Sequence, residues 1–457
     1  MKVNGKIIKY LGIWRNFADG SINRQIFTAT IIIGLLTGLG KFASVGKELV
    51  VAWRFGTGDE IDSFVMALVV PFFVTTVVAN SLSTALIPTY IKVKEESPQA
   101  AQQLFSGIMT RAIGLLVVIT IAVAVAAPLY LPLMASGFSA TKLDLTNRLL
   151  WSVSPSIILY GIINILGGVM NAGEKFALAA LSPVLTPLAM VIMLFTFPGW
   201  GIYALAGGLI CGSLIEMIVL GIALLRQGIS LRPQWLKSDA NLDLVIKEYF
   251  PVMVGSFLMC SANLVDQSMA AMLSPGSVAA LGYAFRVIAL PLSLVTLALG
   301  TAVVPYFSKT IAQKDWRKIN HTFKYYLRLI FITMIPLTVL FILASKLIVQ
   351  ILFERGSFTA ENTQLVSQIQ ILYALEIPFF IASIFVVRLI NALGINHYLA
   401  WGSAINLIAN IIGNYVFSLW LGVAGLALST SLVHFISFVF LYTLTNKHLQ
   451  KILLESN

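Results

Sequence analysis

Lys41, Lys47 and Glu48 stand within the stretch "LTGLGKFASVGKELVVAWRFG" (Leu36–Gly56), which ends beyond a fourth charge, Arg54, and continues an apolar run with no turn cluster before it. A charge at the centre of a membrane helix costs roughly 2.5–3.5 kcal/mol, so each one needs a partner, water or a ligand. Neighbours along a helix point in different directions, and Lys41 and Glu48 lie two turns apart, about 10 Å. This helix is therefore expected not to neutralise its own charges. Arg286 joins the set, because it lies about 15 Å of helix beyond Gly276, near the middle of its own apolar run. Two readings are open. Lys41, Lys47 and Arg286 form a wet basic cavity around an anionic guest, or they belong to a buried ion-pair network that uses Glu48, Glu216, Asp266 and Glu376.

A second set of residues carries oxygen. Asp266 lies in one apolar run; Asn406 and Asn410 share a face of another, with Asn414 a turn further, and Ser429 and Thr430 lie in the last. Carboxylate, amide and hydroxyl oxygens suit a hard cation and serve equally well as interhelical hydrogen-bonding groups. The set is thus either a Na⁺ or H⁺ site that couples an ion gradient to a motion, or packing; no other cofactor is expected. Arg111, Arg328 and Arg388 fall near the ends of apolar runs, where long side chains snorkel to the headgroups. His434 is a lone intramembrane histidine and reads as hydrogen-bonded packing. No nucleophile–base pair, metal cluster or phosphate loop is visible, so an enzyme is not expected. Cys211 and Cys260 lie in apolar runs and imply neither a disulfide framework nor a metal site.

The elements that must hold these residues are membrane helices. Of 457 residues 58% are hydrophobic and 11% charged, and the mean hydropathy is +0.90, which defines an all-α polytopic membrane protein. Runs of roughly 20 apolar residues span a bilayer. That rule places about twelve spans at 26–53, 63–91, 103–130, 148–171, 176–198, 202–226, 245–273, 277–308, 323–351, 365–391, 398–420 and 423–446. An even number puts both termini on one side. Nineteen of the 30 Lys and Arg fall in segments sharing that side, and only Arg54, Lys142, Arg148, Lys346 and Arg355 fall in the opposite loops. Both ends are therefore expected in the cytoplasm. The formal charge of +11 is scattered between apolar runs rather than gathered in a stripe, which excludes a nucleic-acid partner. Met1–Gln25 is polar and basic, without the form of a cleavable signal.

The chain repeats. At an offset of 220 residues Pro71 matches Pro291, "FSA" (Phe138–Ala140) matches "FTA" (Phe358–Ala360), and Asn171-Ala172 matches Asn391-Ala392. A charged loop, 227–244, divides a six-helix half, 1–226, from a second, 245–457. Six spans per repeat make both halves enter the membrane in the same sense, related by an axis along its normal with a central cavity between them. That is transporter architecture.

Residues Leu352–Thr363 ("LFERGSFTAENT"), Asp266–Lys309 and Gly422–Leu432 ("GVAGLALSTSL") closely resemble the MviN/MurJ family of the multidrug/oligosaccharidyl-lipid/polysaccharide exporter superfamily; Phe55–Pro71 and Met170–Leu185 add matches in the first half. The resemblance implies a multi-pass flippase of the bacterial inner membrane. Its cargo would be lipid II, the polyprenyl-diphosphate-linked peptidoglycan precursor, moved from cytoplasmic to outer leaflet, with the enzymes of glycan synthesis as further partners. The family's first-span signature falls on Gly40-Lys41 and Lys47-Glu48, its eighth-span arginine on Arg286 and its acid before span two on Asp62. By that resemblance Lys41, Lys47 and Arg286 grip the diphosphate, while Glu48 and Asp62 hold the bases, bind sugar or gate. The family's sodium-site pattern is similar to Asp266, Asn406, Asn410 and Thr430. This chain departs from the pattern in three ways. Phe72 and Thr75-Thr76 follow Pro71 where the family has Asn and then an arginine pair, lysine twice replaces arginine, and twelve spans stand against the family's fourteen. The runner-up cargo is an exopolysaccharide, capsule or O-antigen repeat unit. A rival of another class is a membrane scaffold without transport, which predicts that the three bases are paired internally.

Overall fold

The computed structural model describes residues 22–173, 176–234 and 240–455, all-helical apart from short loops and turns. The basic segment before Ile22, Lys175 and Lys237 lie outside the described residues. Lipid offers no hydrogen bonds, so an apolar run that crosses it must close its backbone bonds within one helix. Twelve helices result, of which nine, or ten with the bent α10 counted as one span, are long and apolar enough to cross a membrane among the described residues. In the first half they are α1 (Ile22–Phe55), α2 (Asp59–Glu96), α3 (Pro98–Met134), α4 (Ala140–Ala172), α5 (Phe176–Thr196) and α6 (Ile202–Arg226). The second half has α7 (Ala240–Ala271), α8 (Ser277–Ala312), α9 (Trp316–Phe353), α10 (Ala360–Ala374 and Ile377–Leu393, bent by 42°), α11 (His397–Leu421) and α12 (Val423–Glu455). At 1.5 Å per residue the 37 residues of α3 and 38 of α9 exceed a hydrocarbon core of about 30 Å, so these helices project beyond it. Helix α7 starts at Ala240, inside the segment expected as linker, because Ala240–Leu244 carries no helix breaker.

Breaks in the helices follow the repeat. Pro71 lacks a backbone N–H and loosens α2, which continues as a π-helical turn over Thr75–Asn80. The hydroxyls of Thr75 and Thr76 donate back to the carbonyls of Pro71 and Phe72 at 2.8 and 2.9 Å. Helix α4 is interrupted between Val153 and Ser156, and α10 between Ala374 and Ile377. Ser139 caps α4 and Thr359 caps α10, each the middle residue of its "FSA" or "FTA" anchor. Gly201 before α6 and Gly422 before α12 carry nearly the same backbone angles, φ 54°, ψ −130° and φ 58°, ψ −136°.

One hydrophobic core joins the halves at the side remote from the termini, with Val51, Ala52 and Phe64 packed in the same cluster as Tyr283, Phe353 and Phe358. A second core, around Leu86, Phe105, Leu166 and Leu224 of the first half, also takes in Leu242 and Val245 of α7. The outer faces of α3 and α9 present Leu129, Leu133 and Leu343 uncovered, as a lipid-facing surface requires.

Candidate functional site

The side remote from the termini is sealed by contacts between the halves. The Ser357 N–H donates to Trp53 O at 2.8 Å and its hydroxyl to Arg54 O at 3.0 Å. Asn362 Nδ2 donates to Thr57 Oγ1 at 2.7 Å, and the Tyr283 hydroxyl to Gly56 O at 3.1 Å. Gly56 and Gly276, equivalent in the repeat, both take left-handed backbone (φ +56° and +84°). A Cβ on Gly56 would lie 2.4 Å from Ser357 O, and one on Gly276 2.6 Å from Thr57 O, so the two halves meet there backbone to backbone.

Asp62 belongs to this seal. It is buried, and its carboxylate accepts from the N–H groups of Gly276 (2.7 Å) and Ala279 (2.8 Å), capping α8 from the other half where Gly276 has no side chain to do so. Lys142, also buried, donates to Asp62 at 2.8 Å and to Asp59 at 2.6 Å. Of the roles expected for Asp62, a place in the gate agrees with this geometry; the base it holds is Lys142 rather than Lys41, Lys47 or Arg286, and it does not line the cavity. Lys142 went unnoticed in the sequence because it stands in an outer loop like any solvated base, and nothing local points to an acid 80 residues earlier.

Toward the termini α7 stays against α2, with Ser81 Oγ donating to Ser256 Oγ at 2.9 Å, while α1 and α8 part. A cavity of about 730 Å³ opens between Gly34–Lys41 of α1, Phe285–Thr296 of α8, and Glu376, Phe380, Arg388 and His434 of α10 and α12. Lys41 is exposed into it and makes no ion pair among the described residues. Arg388, expected to snorkel to the headgroups, instead lines the wall. Lys47 and Arg286 do not join Lys41 in that lining; both hold Glu48, Arg286 Nη1 at 2.9 Å from one carboxylate oxygen and Lys47 Nζ against the other. The expectation that α1 leaves its own charges unpaired is corrected, because the four-carbon stem of lysine curls back to its neighbour. The network reading holds for these two bases and fails for Lys41. Two cations share one carboxylate, and the Arg286 side chain remains 36% exposed against 9% for Glu48, so the cluster keeps surplus positive charge.

In the second half Asp266 is buried and accepts from Asn410 Nδ2 at 2.9 Å and Asn414 Nδ2 at 2.6 Å. Asn406 is not part of this cluster; its amide donates to Ser437 Oγ at 3.1 Å, a turn closer to the termini. Thr430 donates to Leu426 O at 3.1 Å and shares a hydrogen bond with the Tyr373 hydroxyl rather than with Asp266. Helical spacing pointed to all three asparagines; only the tilt of α11 against α7 selects Asn410 and Asn414. Glu216 lies apart in the first half, both carboxylate oxygens held by Ser182 and Thr186 at 3.1 Å.

Two related six-helix sets, sealed at one end and parted around a basic cavity at the other, define a transporter of the alternating-access class. The family model for the lipid II flippase MurJ matches residues 51–456, and the chain belongs to that family. Among relatives, it is 25% identical over 451 residues to a probable lipid II flippase MurJ of Synechocystis sp., covering 94% of this chain and 83% of the relative. A Vibrio cholerae protein of the same description is 23% identical over 446 residues, with 92% and 83% covered. Among solved structures, a lipid II flippase MurJ in an inward closed conformation superposes with a TM-score of 0.80 at 24% identity, over 93% of this chain and 90% of that one. An inward-facing MATE family transporter of the MOP superfamily gives 0.78 at 13% identity, over 94% and 99%. These likenesses establish the fold.

Proposed function

We infer that this chain is a lipid II flippase, which takes a polyprenyl-diphosphate-linked glycan from the leaflet on the side of its termini and presents it to the other. The observation that carries this reading is the cavity itself: it is walled by Lys41 and Arg388, with the surplus charge of the Lys47–Glu48–Arg286 cluster on α1 and α8, which also line it. A concavity of this size accommodates a compact polar head, and its charge selects an anion such as a diphosphate, while the prenyl tail remains in the bilayer. Nothing is chemically transformed; rocking of the halves exchanges the sealed and open ends. The excess of Lys and Arg on the side of the termini supports placing both ends in the cytoplasm of a bacterial inner membrane, facing the enzymes that build the precursor. Asp266, with Asn410 and Asn414, is the proposed seat of a coupling ion, Na⁺ or H⁺. A family match along nearly the whole chain favours lipid II over other lipid-linked glycans.

The test is rescue of bacteria depleted of their own lipid II flippase, scored by lipid II accessible at the outer leaflet, with membrane levels checked. Wild type restores growth, and Arg286→Ala fails to do so at equal abundance. Absence of rescue by correctly inserted wild type would overturn the lipid II reading.

A further inference from the structure

Glu376 stands where the helices of α10 break, with its N–H donating to Tyr373 O at 2.9 Å and its carbonyl accepting from Phe380 N at 2.7 Å. The repeat places Ser156 at the equivalent break of α4, so the acid belongs to the second half alone. It is 1% exposed, yet it forms part of the cavity wall, and its Oε2 has no hydrogen-bond partner. His434 Nε2 stands 3.6 Å from that oxygen, too far for a hydrogen bond, and His434 also lines the cavity. Its ring is held edge-on to Phe380, centroids 5.1 Å apart.

The contrast with Glu216 is informative. That carboxylate has a hydroxyl donor on each oxygen and is closed on itself; Glu376 has a buried oxygen left over, facing an imidazole. The titratable and charged groups around Glu376 are Asp266 of α7, Tyr373 of α10, and His434 of α12; Lys41 of α1 and Arg388 of α10 line the same cavity. Tyr373 feels both Asp266 and Glu376, and Glu376 feels Asp266 directly, so the two acids and the phenol form one electrostatic group. A carboxylate taken out of water without a cation in contact is costly, and acquiring a proton relieves the cost. A proton, unlike an ammonium or a sugar, fits a group that is 1% exposed.

We propose that Glu376, paired with His434, is a proton-exchange site through which the central cavity communicates with the Asp266 cluster. The proton leaves Glu376 Oε2 for His434 Nε2 and passes from the imidazole to cavity water; on the return, water protonates His434 and the imidazolium reprotonates the carboxylate. Glu376 thereby holds a proton in one stage of the cycle and is paired with an imidazolium in another, so the charge seen by Asp266 changes with the state of the cavity.

The experiment uses the full chain, purified and reconstituted in nanodiscs, with dicyclohexylcarbodiimide as the probe. This reagent adds to protonated carboxyls in apolar surroundings, and mass spectrometry locates the adduct. Between about pH 5 and pH 9, labelling of Glu376 in the wild type falls at least fivefold as pH rises and the carboxyl gives up its proton. In H434Q, with no imidazole to take the proton, that fall moves to higher pH, whereas D266N retains labelling of Glu376 at low pH. Glu376 unlabelled at every pH, labelling indifferent to pH in wild type, or an H434Q profile identical to wild type would each overturn the proposal. Lipid II is absent from this measurement, so the expected labelling in a protein that fails to rescue a flippase-depleted strain supports the proton site while sinking the lipid II reading.

Discussion

At the scale of single residues, the bases of this chain divide by what holds them. Lys142 is fixed between two carboxylates, Lys47 and Arg286 share one, and Lys41 faces the cavity with no ion pair among the described residues. A charge with no internal partner is available to substrate, and its loss leaves no orphan behind. Lys41→Ala is therefore expected to weaken binding without unfolding the protein. One charge-assisted hydrogen bond contributes about 1.5–3 kcal/mol, or roughly tenfold or more in affinity. In proteoliposomes the variant should show an apparent KM for lipid II raised about tenfold, with an unchanged thermal unfolding midpoint. A lower midpoint with unaltered KM would place Lys41 among the structural residues instead. Composition announced that these charges needed an explanation, and spacing placed Arg286 level with α1. Which base takes which acid was not legible, because it depends on rotamers of long side chains and on helices distant in sequence. Asp62 shows the limit: its partners are backbone N–H groups of Gly276 and Ala279, which have no sequence signature at all.

At the scale of elements, an all-helical membrane protein could be read from hydropathy alone because lipid leaves the backbone no alternative; twelve spans were expected, and nine or ten helices among the described residues are long and apolar enough to cross. The repeat was equally legible, since its anchors are residues with fixed backbone duties: a proline that loosens a helix, and a Ser or Thr that caps one. Tilts and bends were not, and they decide that Asn410 and Asn414 meet Asp266 while Asn406 meets Ser437. The same logic gives the α7–α8 turn a definite sensitivity. Gly276 has φ +84°, and a Cβ there would meet Thr57 O at 2.6 Å. Left-handed backbone costs a non-glycine residue about 1–2 kcal/mol, and the clash is additional. This turn touches the other half across the seal, so Gly276→Ala should destabilise the sealed state. Distances between spin labels on the two halves at this end are the measure: the variant should show a longer population increased about tenfold over wild type. An unchanged distribution would mean that the close approach contributes nothing to the seal.

At the scale of the whole molecule, the seal and the cavity are two ends of one equilibrium. The seal is narrow, a few backbone and side-chain hydrogen bonds around Gly56, Thr57, Ser357 and Asn362 with the Asp62 cap beside them, while the cavity at the other end keeps its bases apart from it. Exchanging the ends must part the apolar core that joins the halves at the seal as well as these hydrogen bonds. If the ends do exchange, holding the seal shut must stop transport at a stage where substrate still enters. Thr57 and Asn362 are suitable anchors, since Asn362 Nδ2 and Thr57 Oγ1 lie 2.7 Å apart across the two halves. A Thr57→Cys, Asn362→Cys double variant treated with a short, reducible thiol cross-linker should lose lipid II flipping, regain it on reduction, and bind lipid II with unchanged affinity throughout. Each single-cysteine variant, treated alike, should retain flipping. Transport that persists in the fully cross-linked protein would show that the halves need not part at this end, and alternating access across this seal would have to be abandoned.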